Sequence, residues 1–239
     1  MVNLLDPSVI ITRMFESGKF DDMLNYCTKM LEKNPNDLMA LQNSALSLLN
    51  LGRFSEAIAH CDKVLKENNF DVYSLTIKIH SLENLKHYEE VLKCCESILA
   101  KNKADVWALN TSGLALNELS RFKDGIEYYD KALKIDDKNL TALMNKAISL
   151  SFLGDTHKSI EYYDMAQKID PSLKDLGIAK SREFEKLGLQ DEAFLAAQGM
   201  LNSDMEKIKS DAKENRSSVF HQFCQIEFEE KEGKHTKTK

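Results

Sequence analysis

The sequence repeats itself every 34 residues, and this spacing constrains the fold more than any other feature. One column of the repeat holds four glycines, a lysine and a serine: Gly18, Gly52, Lys86, Ser120, Gly154 and Gly188. The register runs without an insertion and divides the chain into repeats at 4–37, 38–71, 72–105, 106–139, 140–173 and 174–202. A fixed period of about 20–50 residues is typical of proteins built from stacked copies of one small unit.

Each repeat contains two stretches with the apolar spacing of an α-helix. In the second repeat, Leu41, Ala45 and Leu48 follow one another at steps of four and three residues, and the same period resumes at Phe54 after a break at Gly52. A glycine at this point supplies the left-handed backbone conformation that ends a helix. Neither helix can bury its apolar face alone, so we expect neighbouring repeats to stack on one another.

Two further columns keep their character along the chain. Position 11 is always large and apolar, with Met14, Leu48, Leu82, Leu116, Leu150 and Phe184. Position 8, where two helices must approach closely, holds Ile11, Ala45, Ile79, Gly113, Ala147 and Ser181. The agreement of several columns predicts one structural unit repeated six times.

Composition favours a folded helical protein and disfavours several other classes. The 239 residues are 43% hydrophobic and 29% charged, with only 3 prolines and 9 glycines, which is few for an all-β chain. A net charge of −6 disfavours nucleic-acid binding. No apolar run approaches the roughly 18 residues of a membrane span, and an odd count of five cysteines fits a reducing compartment. We therefore expect a cytoplasmic protein without membrane insertion.

The columns resemble the tetratricopeptide repeat (TPR), a family of 34-residue helix–turn–helix units. Positions 8, 20, 24, 27 and 32 of the fifth repeat match its pattern with Ala147, Ser159, Tyr163, Ala166 and Pro171. The fourth repeat matches with Gly113, Gly125, Tyr129 and Ala132. Position 7 departs from the family's leucine with Ser44, Lys78, Ser112 and Lys146. The resemblance implies an all-α fold, a right-handed superhelix (α-solenoid) of about six repeats over residues 1–202.

Residues 203–232 are predicted to form one further helix. Ser203 and Glu206 have the spacing of a capping box, and an apolar face continues as far as Ile226. One interpretation is that this helix covers the open end of the stack; the other is that Phe220 and Phe223 dock into a groove of this chain or of a neighbour. Residues 233–239 are polar and predicted to be disordered.

No pattern in the sequence points to catalysis or to metal binding. Cys27, Cys61 and Cys95 occupy position 24, where the next two repeats have Tyr129 and Tyr163, which predicts buried side chains rather than metal ligands. The sequence contains no CxxC, HExxH, GxGxxG or GxSxG motif. We expect no catalytic residue, no metal site, no cofactor and no nucleic-acid partner.

The resemblance implies that a partner segment binds in a concave groove lined by the first helix of each repeat. The residues that we single out at these positions are mostly apolar, aromatic or amide side chains: Met39, Gln42, Leu46, Tyr73, His80, Asn84, Trp107, Asn110, Leu114, Asn117, Met144 and Ile148. Asparagine offers a donor and an acceptor to a peptide backbone, and tryptophan is a frequent hot spot. The alternative for Trp107 is that it packs against the adjacent repeat.

The groove lacks the basic residues with which some members of this family bind acidic chaperone tails. In those members, five side chains from three successive repeats hold the carboxylates of the tail. In repeats one to three of this chain the same positions hold Ser8, Thr12, Asn43, Tyr73 and Ile77. A carboxylate would find no charged partner there. The sequence therefore predicts a scaffold or adaptor for a mostly apolar protein segment. The alternative is a structural protein that self-associates through the ends of the stack or through its C-terminal helix.

Overall fold

The computed structural model describes residues 6–215, 217–224 and 226. These residues contain α-helices and turns, and no β-strand lies among them. The chain divides into two compact units, Met1–Ile135 and Asp136–Lys239. The predicted all-α fold of helical repeats is confirmed.

In the first unit, the described residues form four helical hairpins. Its helices are α1 (Pro7–Glu16), α2 (Phe20–Lys33), α3 (Leu38–Asn50), α4 (Phe54–Glu67), α5 (Val72–Asn84), α6 (Tyr88–Lys101), α7 (Val106–Glu118) and α8 (Phe122–Ile135). Each helix packs against the next one in the chain. Helices α3, α5 and α7 begin at the predicted repeat starts, whereas α1 begins at Pro7 and the predicted start at Leu4 lies outside the described residues.

The second unit continues the same pattern and then departs from it. Its helices are α9 (Leu140–Phe152), α10 (Thr156–Ile169), α11 (Lys174–Lys186), α12 (Gln190–Ala197) and α13 (Asn202–Glu214), followed by helical residues at 219–224. Each of α9 to α12 packs against the helix that follows it. Helix α12 has only 8 residues, so the last hairpin is shorter than the others.

A short polar side chain begins the first helix in repeats two to five. The carboxylate of Asp37 accepts a hydrogen bond from the backbone N–H of Ala40 at 3.0 Å, and equivalent bonds recur one repeat apart at Asp71, Asp105 and Asn139. Each bond satisfies one of the N–H groups that a helix start leaves unpaired. This column has the same 34-residue spacing as the apolar pattern and marks the helix starts independently of it.

The turn inside each hairpin adopts a left-handed conformation, as the glycine column predicts. Gly52 has φ 74°, and the residues that replace glycine in this column, Lys86 and Ser120, have φ 60° and 59°. The N–H of His87 then bonds to the carbonyl of Leu82 at 2.9 Å. This conformation costs a residue with a side chain roughly 1–2 kcal/mol, so the packing of the two helices must hold the turn in place.

The predicted core column at position 11 is buried in repeats two to six, and Met14 in the first repeat is partly buried. Leu48, Leu82 and Leu116 at position 11 are at most 2% exposed. Cys61 and Cys95 at position 24 are fully buried, and Cys95 lies in one apolar cluster with Leu82 and Leu116. The apolar faces of successive hairpins therefore form the core, as the stacking of repeats requires.

The C-terminal helix differs from the prediction in its start. Helix α13 begins at Asn202, and no side chain caps it, so the predicted capping box of Ser203 and Glu206 is wrong. Instead, the backbone N–H of Asn202 donates to Oδ1 of Asp164 at 2.9 Å. Asp164 on α10 thus satisfies an N–H group at the start of α13, which a side chain next to the helix start would otherwise do. A local sequence pattern does not reveal this contact.

The C-terminal helix also ends earlier than residue 232. It stops at Glu214, and the Oγ of Ser218 then accepts the N–H of His221 at 3.1 Å to begin a second short helix. Serine favours such caps over helix interiors because its hydroxyl competes for backbone hydrogen bonds. The break lets Val219 and Phe223 pack on the apolar cluster of the second unit. Residues 227–232 and the tail predicted to be disordered, 233–239, lie outside the described residues.

Candidate partner-binding surface

The candidate surface in the first unit is formed by α3, α5 and α7, the first helices of repeats two to four. We call it the first-helix wall and define it by Met39, Gln42, Leu46, Tyr73, His80, Asn84, Trp107, Asn110, Leu114 and Asn117. On each helix these residues are three, four or seven positions apart, which places them on one side of the helix. The helical register therefore determines which residues lie on the wall.

Large apolar side chains are exposed at the centre of the wall. Tyr73 is 46% exposed, Trp107 38% and Leu114 39%. The rings of His80 and Trp107 lie edge to face with centroids 5.9 Å apart. Tryptophan is usually highly buried, so a tryptophan that is more than a third exposed is unusual. Trp107 thus contacts the neighbouring repeat through His80 while keeping part of its ring open to solvent.

His80 is the titratable group at the centre of the wall. Its Nδ1 lies 3.1 Å from Oε2 of Glu83, one turn further along α5. This hydrogen bond raises the pKa of His80, and partial burial of the ring opposes it. The protonated ring is therefore more populated near neutral pH than in a free histidine.

The amide side chains of the wall are largely engaged within the chain. Gln42 donates to Asp71 at 3.0 Å, Asn84 to the carbonyl of His80 at 2.8 Å, and Asn117 to the hydroxyl of Tyr129 at 3.1 Å. Asn110 is only 8% exposed. Gln42 and Asn117 thus link neighbouring elements, and Asn84 bonds within its own helix, so these amides already have partners inside the chain.

The second unit has its own first-helix residues on α9 and α11. Met144 and Ile148 lie on α9 and are partly buried. Phe152, one turn beyond Ile148, is 69% exposed, and Ile178 on α11 is 47% exposed. The first-helix side chains that present most apolar surface here are therefore Phe152 and Ile178.

The three cysteines at position 24, Cys27, Cys61 and Cys95, are buried as the register predicts. Burial raises the pKa of Cys27 to about 11 and those of Cys61 and Cys95 to about 12, so these thiols stay protonated. All five cysteines are free, and Cys224 is exposed. In the part of the chain that the structure describes, no three His, Cys, Asp or Glu side chains are grouped to hold a metal ion. Among the same residues, no helix is long and apolar enough to cross a bilayer.

The burial of one lysine in the second unit was not predicted from the sequence. Lys180 is fully buried, and its Nζ donates to Asp164 at 2.9 Å, to Gln167 at 2.9 Å and to the carbonyl of Met200 at 2.6 Å. It occupies position 7, where the TPR pattern has leucine. The sequence signal for this lysine is an aspartate 16 residues earlier. The first unit has the same spacing between Asp62 and Lys78, which also form a hydrogen bond.

Comparisons with known proteins agree with this architecture. A family model described as "Psidin, N-terminal TPR repeats region" matches residues 10–106 and 54–158. No curated protein sequence matches the chain. The matches to the family model together cover more than half of the chain.

Several solved TPR structures resemble this one. MamA from Desulfovibrio magneticus RS-1 is 24% identical with a TM-score of 0.65, over 70% of this chain and 94% of that one. A TPR protein from Parabacteroides merdae ATCC 43184 is 17% identical with a TM-score of 0.71, over 80% and 76%. YrrB, described as a TPR protein with an unusual peptide-binding site, is 17% identical with a TM-score of 0.59, over 72% and 89%. At these identities the likeness shows the fold, and with the family match it confirms the predicted family: the chain belongs to the tetratricopeptide repeat proteins, in the family of the Psidin N-terminal TPR repeats region.

Proposed function

We propose that this chain is a scaffold that binds a mostly apolar segment of a partner protein on the first-helix wall of its first unit. The observation that carries the proposal is the exposure of three large side chains on the first helices, Tyr73, Trp107 and Leu114. Its rings and aliphatic groups lose contact with water when a partner covers them, which is the main favourable contribution to association. Tyrosine and tryptophan also bring polar edges that orient a bound segment.

The charges of the wall restrict the partner further. Among the wall residues only His80 can carry a positive charge, and Glu83 beside it offsets that charge. A strongly acidic segment would find no lysine or arginine among the wall residues to compensate the loss of its hydration. A segment with leucine, isoleucine or aromatic side chains and few carboxylates fits this surface best.

The family and its structural neighbours support an interaction role. YrrB shows by its description that a TPR protein of similar fold can carry a peptide-binding site. We infer that the present chain acts as an adaptor without catalytic activity. Its five free cysteines support a reducing compartment such as the cytoplasm.

The proposal is tested with Trp107→Ala and Tyr73→Ala in the full chain. Proteins captured from native cells by the tagged wild type should be lost from both variants, because each change removes an exposed anchor from the wall. The readout is quantitative mass spectrometry, with circular dichroism to verify equal helix content. Asn110 is a poor choice for this test, since its burial makes an alanine there a change in the core.

Phe70→Ala is the matched control for this capture experiment. Phe70 is 39% exposed, nearly the same as Trp107, but it lies in the loop between α4 and α5 rather than on a first helix. This variant should capture the same proteins as the wild type. The proposal is wrong if the Trp107 and Tyr73 variants retain those partners, or if the Phe70 variant loses them equally.

Self-association is the alternative function, and the exposure of one C-terminal side chain favours it. Phe220 is 60% exposed although Phe194 contacts it at 5.4 Å between ring centroids. Met205 and Ile208 of α13, by contrast, are buried against the chain's own core. A wild-type mass in solution above that of one chain, which falls to that of one chain in Phe220→Ala, would support this alternative.

A further inference from the structure

The second unit contains a cavity that lies outside the first-helix wall. It has a volume of about 240 Å³ and opens where α10, α11, α12 and α13 meet. Its apolar lining consists of Ile160, Phe184, Leu187, Leu189 and Met205. Ile160 and Met205 are at most 4% exposed, so their side chains form a fixed floor. An apolar cavity of about 150 Å³ is already enough to hold a benzene-sized group.

The rim of this cavity is negatively charged. Three carboxylates line it, Glu161, Glu192 and Glu206. Lys209 lies 2.5 Å from Glu192 and 3.4 Å from Glu206, Lys158 interacts electrostatically with Glu161, and His157 also lines the cavity. No ion pair involves Glu161 among the residues that the structure describes. Carboxylates therefore outnumber the lysines that act on them at the mouth of an apolar cavity, which favours a cationic group there.

We propose that this cavity binds a partner protein segment in which a leucine-sized apolar residue is followed directly by an arginine. The apolar side chain fills the space above Ile160 and Met205, and the guanidinium group pairs with Glu161 and the neighbouring rim carboxylates. Arginine fits better than lysine because it is weakly hydrated and donates several hydrogen bonds in a fixed plane. The site is independent of the proposed first-helix wall, since no residue belongs to both.

The experiment uses the full chain with ¹³C-labelled methionine methyl groups, because Met205 lies on the cavity floor. The probe is the peptide acetyl-Ala-Leu-Arg-Ala-amide, and the matched control peptide has glutamate in place of arginine. We expect the Met205 methyl resonance to shift in a saturable way with the arginine peptide alone. Added salt should weaken the binding, and Glu161→Gln should weaken it by about 2- to 5-fold, the range of an exposed ion pair.

Three results would overturn the proposal. The first is a Met205 resonance that does not move with the arginine peptide. The second is an equal shift with the glutamate peptide, because the rim would then play no part. The third is a shift that appears only when Lys234, Lys237 and Lys239 are all changed to alanine, because the chain's own basic residues would then be the occupants of the cavity.

Discussion

The contact between repeats two and three in the first unit and that between repeats five and six in the second use the same pair of positions. Lys78 reaches Asp62 at 2.5 Å, and Lys180 reaches Asp164 at 2.9 Å. The first pair is partly open to water, with side chains 19% and 47% exposed, whereas the second is buried at 0% and 6%. One sequence pattern thus gives a screened surface contact in one place and a buried ion pair in the other.

The difference comes from what covers the pair. In the second unit, the segment after α12 supplies the carbonyl of Met200 to Lys180 and the N–H of Asn202 to Asp164. Burial alone would raise the pKa of Asp164, but the hydrogen bonds from Lys180 and from Asn202 lower it below its usual value. The pair therefore ties the start of α13 to α10, a role that a solvent-exposed pair is too weak to perform.

The largest effect is expected from Lys180→Ala. This change removes the buried partner of Asp164 and leaves it only the exposed Lys168 at 3.1 Å, so it should destabilise the second unit by about 3 kcal/mol. Hydrogen exchange of the α13 amides, followed in the full chain, measures the loss directly. The double change Lys180→Met with Asp164→Leu should recover part of the stability, because no buried charge remains although Gln167, the carbonyl of Met200 and the N–H of Asn202 lose their partners. A cost below about 1 kcal/mol for Lys180→Ala would remove the distinction between the two pairs.

A smaller but still large effect is expected in the first unit from Leu82→Ala. Leu82 is 1% exposed and packs with Ile79 and Leu116, so the contact between these repeats depends on apolar packing rather than on charge. The free energy of unfolding should fall by about 2–5 kcal/mol in a denaturant titration. Leu114→Ala on the first-helix wall is the matched control and should cost much less, since Leu114 is 39% exposed. Equal costs would mean that the faces of these helices are assigned wrongly.

The smallest effect is expected from Lys78→Ala. Water reaches this pair, so its removal should cost less than about 1 kcal/mol and the cost should shrink further in high salt. The same hydrogen-exchange measurement, applied to α4 and α5, provides the value. A loss as large as that of Lys180→Ala would show that exposure does not explain the difference between the two contacts.

The sequence predicted those parts of the fold that depend on regular spacing. The starts of α3, α5, α7, α9 and α11 agree with the register because every repeat must present the same apolar columns to its neighbours. The register also predicted the turn at Lys86, where no glycine marks it, because helix packing imposes the left-handed conformation there.

The features that sequence analysis missed depend on contacts between distant residues. The start of α13 is fixed by Asp164, 38 positions earlier in the chain, and the burial of Lys180 depends on the segment that follows α12. The chemistry of the wall was also only partly predictable. The register placed Trp107 on a first helix, but the burial of Asn110 and the bond from Asn117 to Tyr129 depend on side chains of neighbouring helices.

The most direct test of the binding function is site-specific photocrosslinking in the native cell. A photoreactive phenylalanine analogue replaces Trp107 in one full-length variant and Phe70 in another, two positions of nearly equal exposure. A partner that lies along the first-helix wall should give a crosslinked protein of defined mass from position 107 and none from position 70. The same products from both positions, or none from position 107, would contradict the proposal.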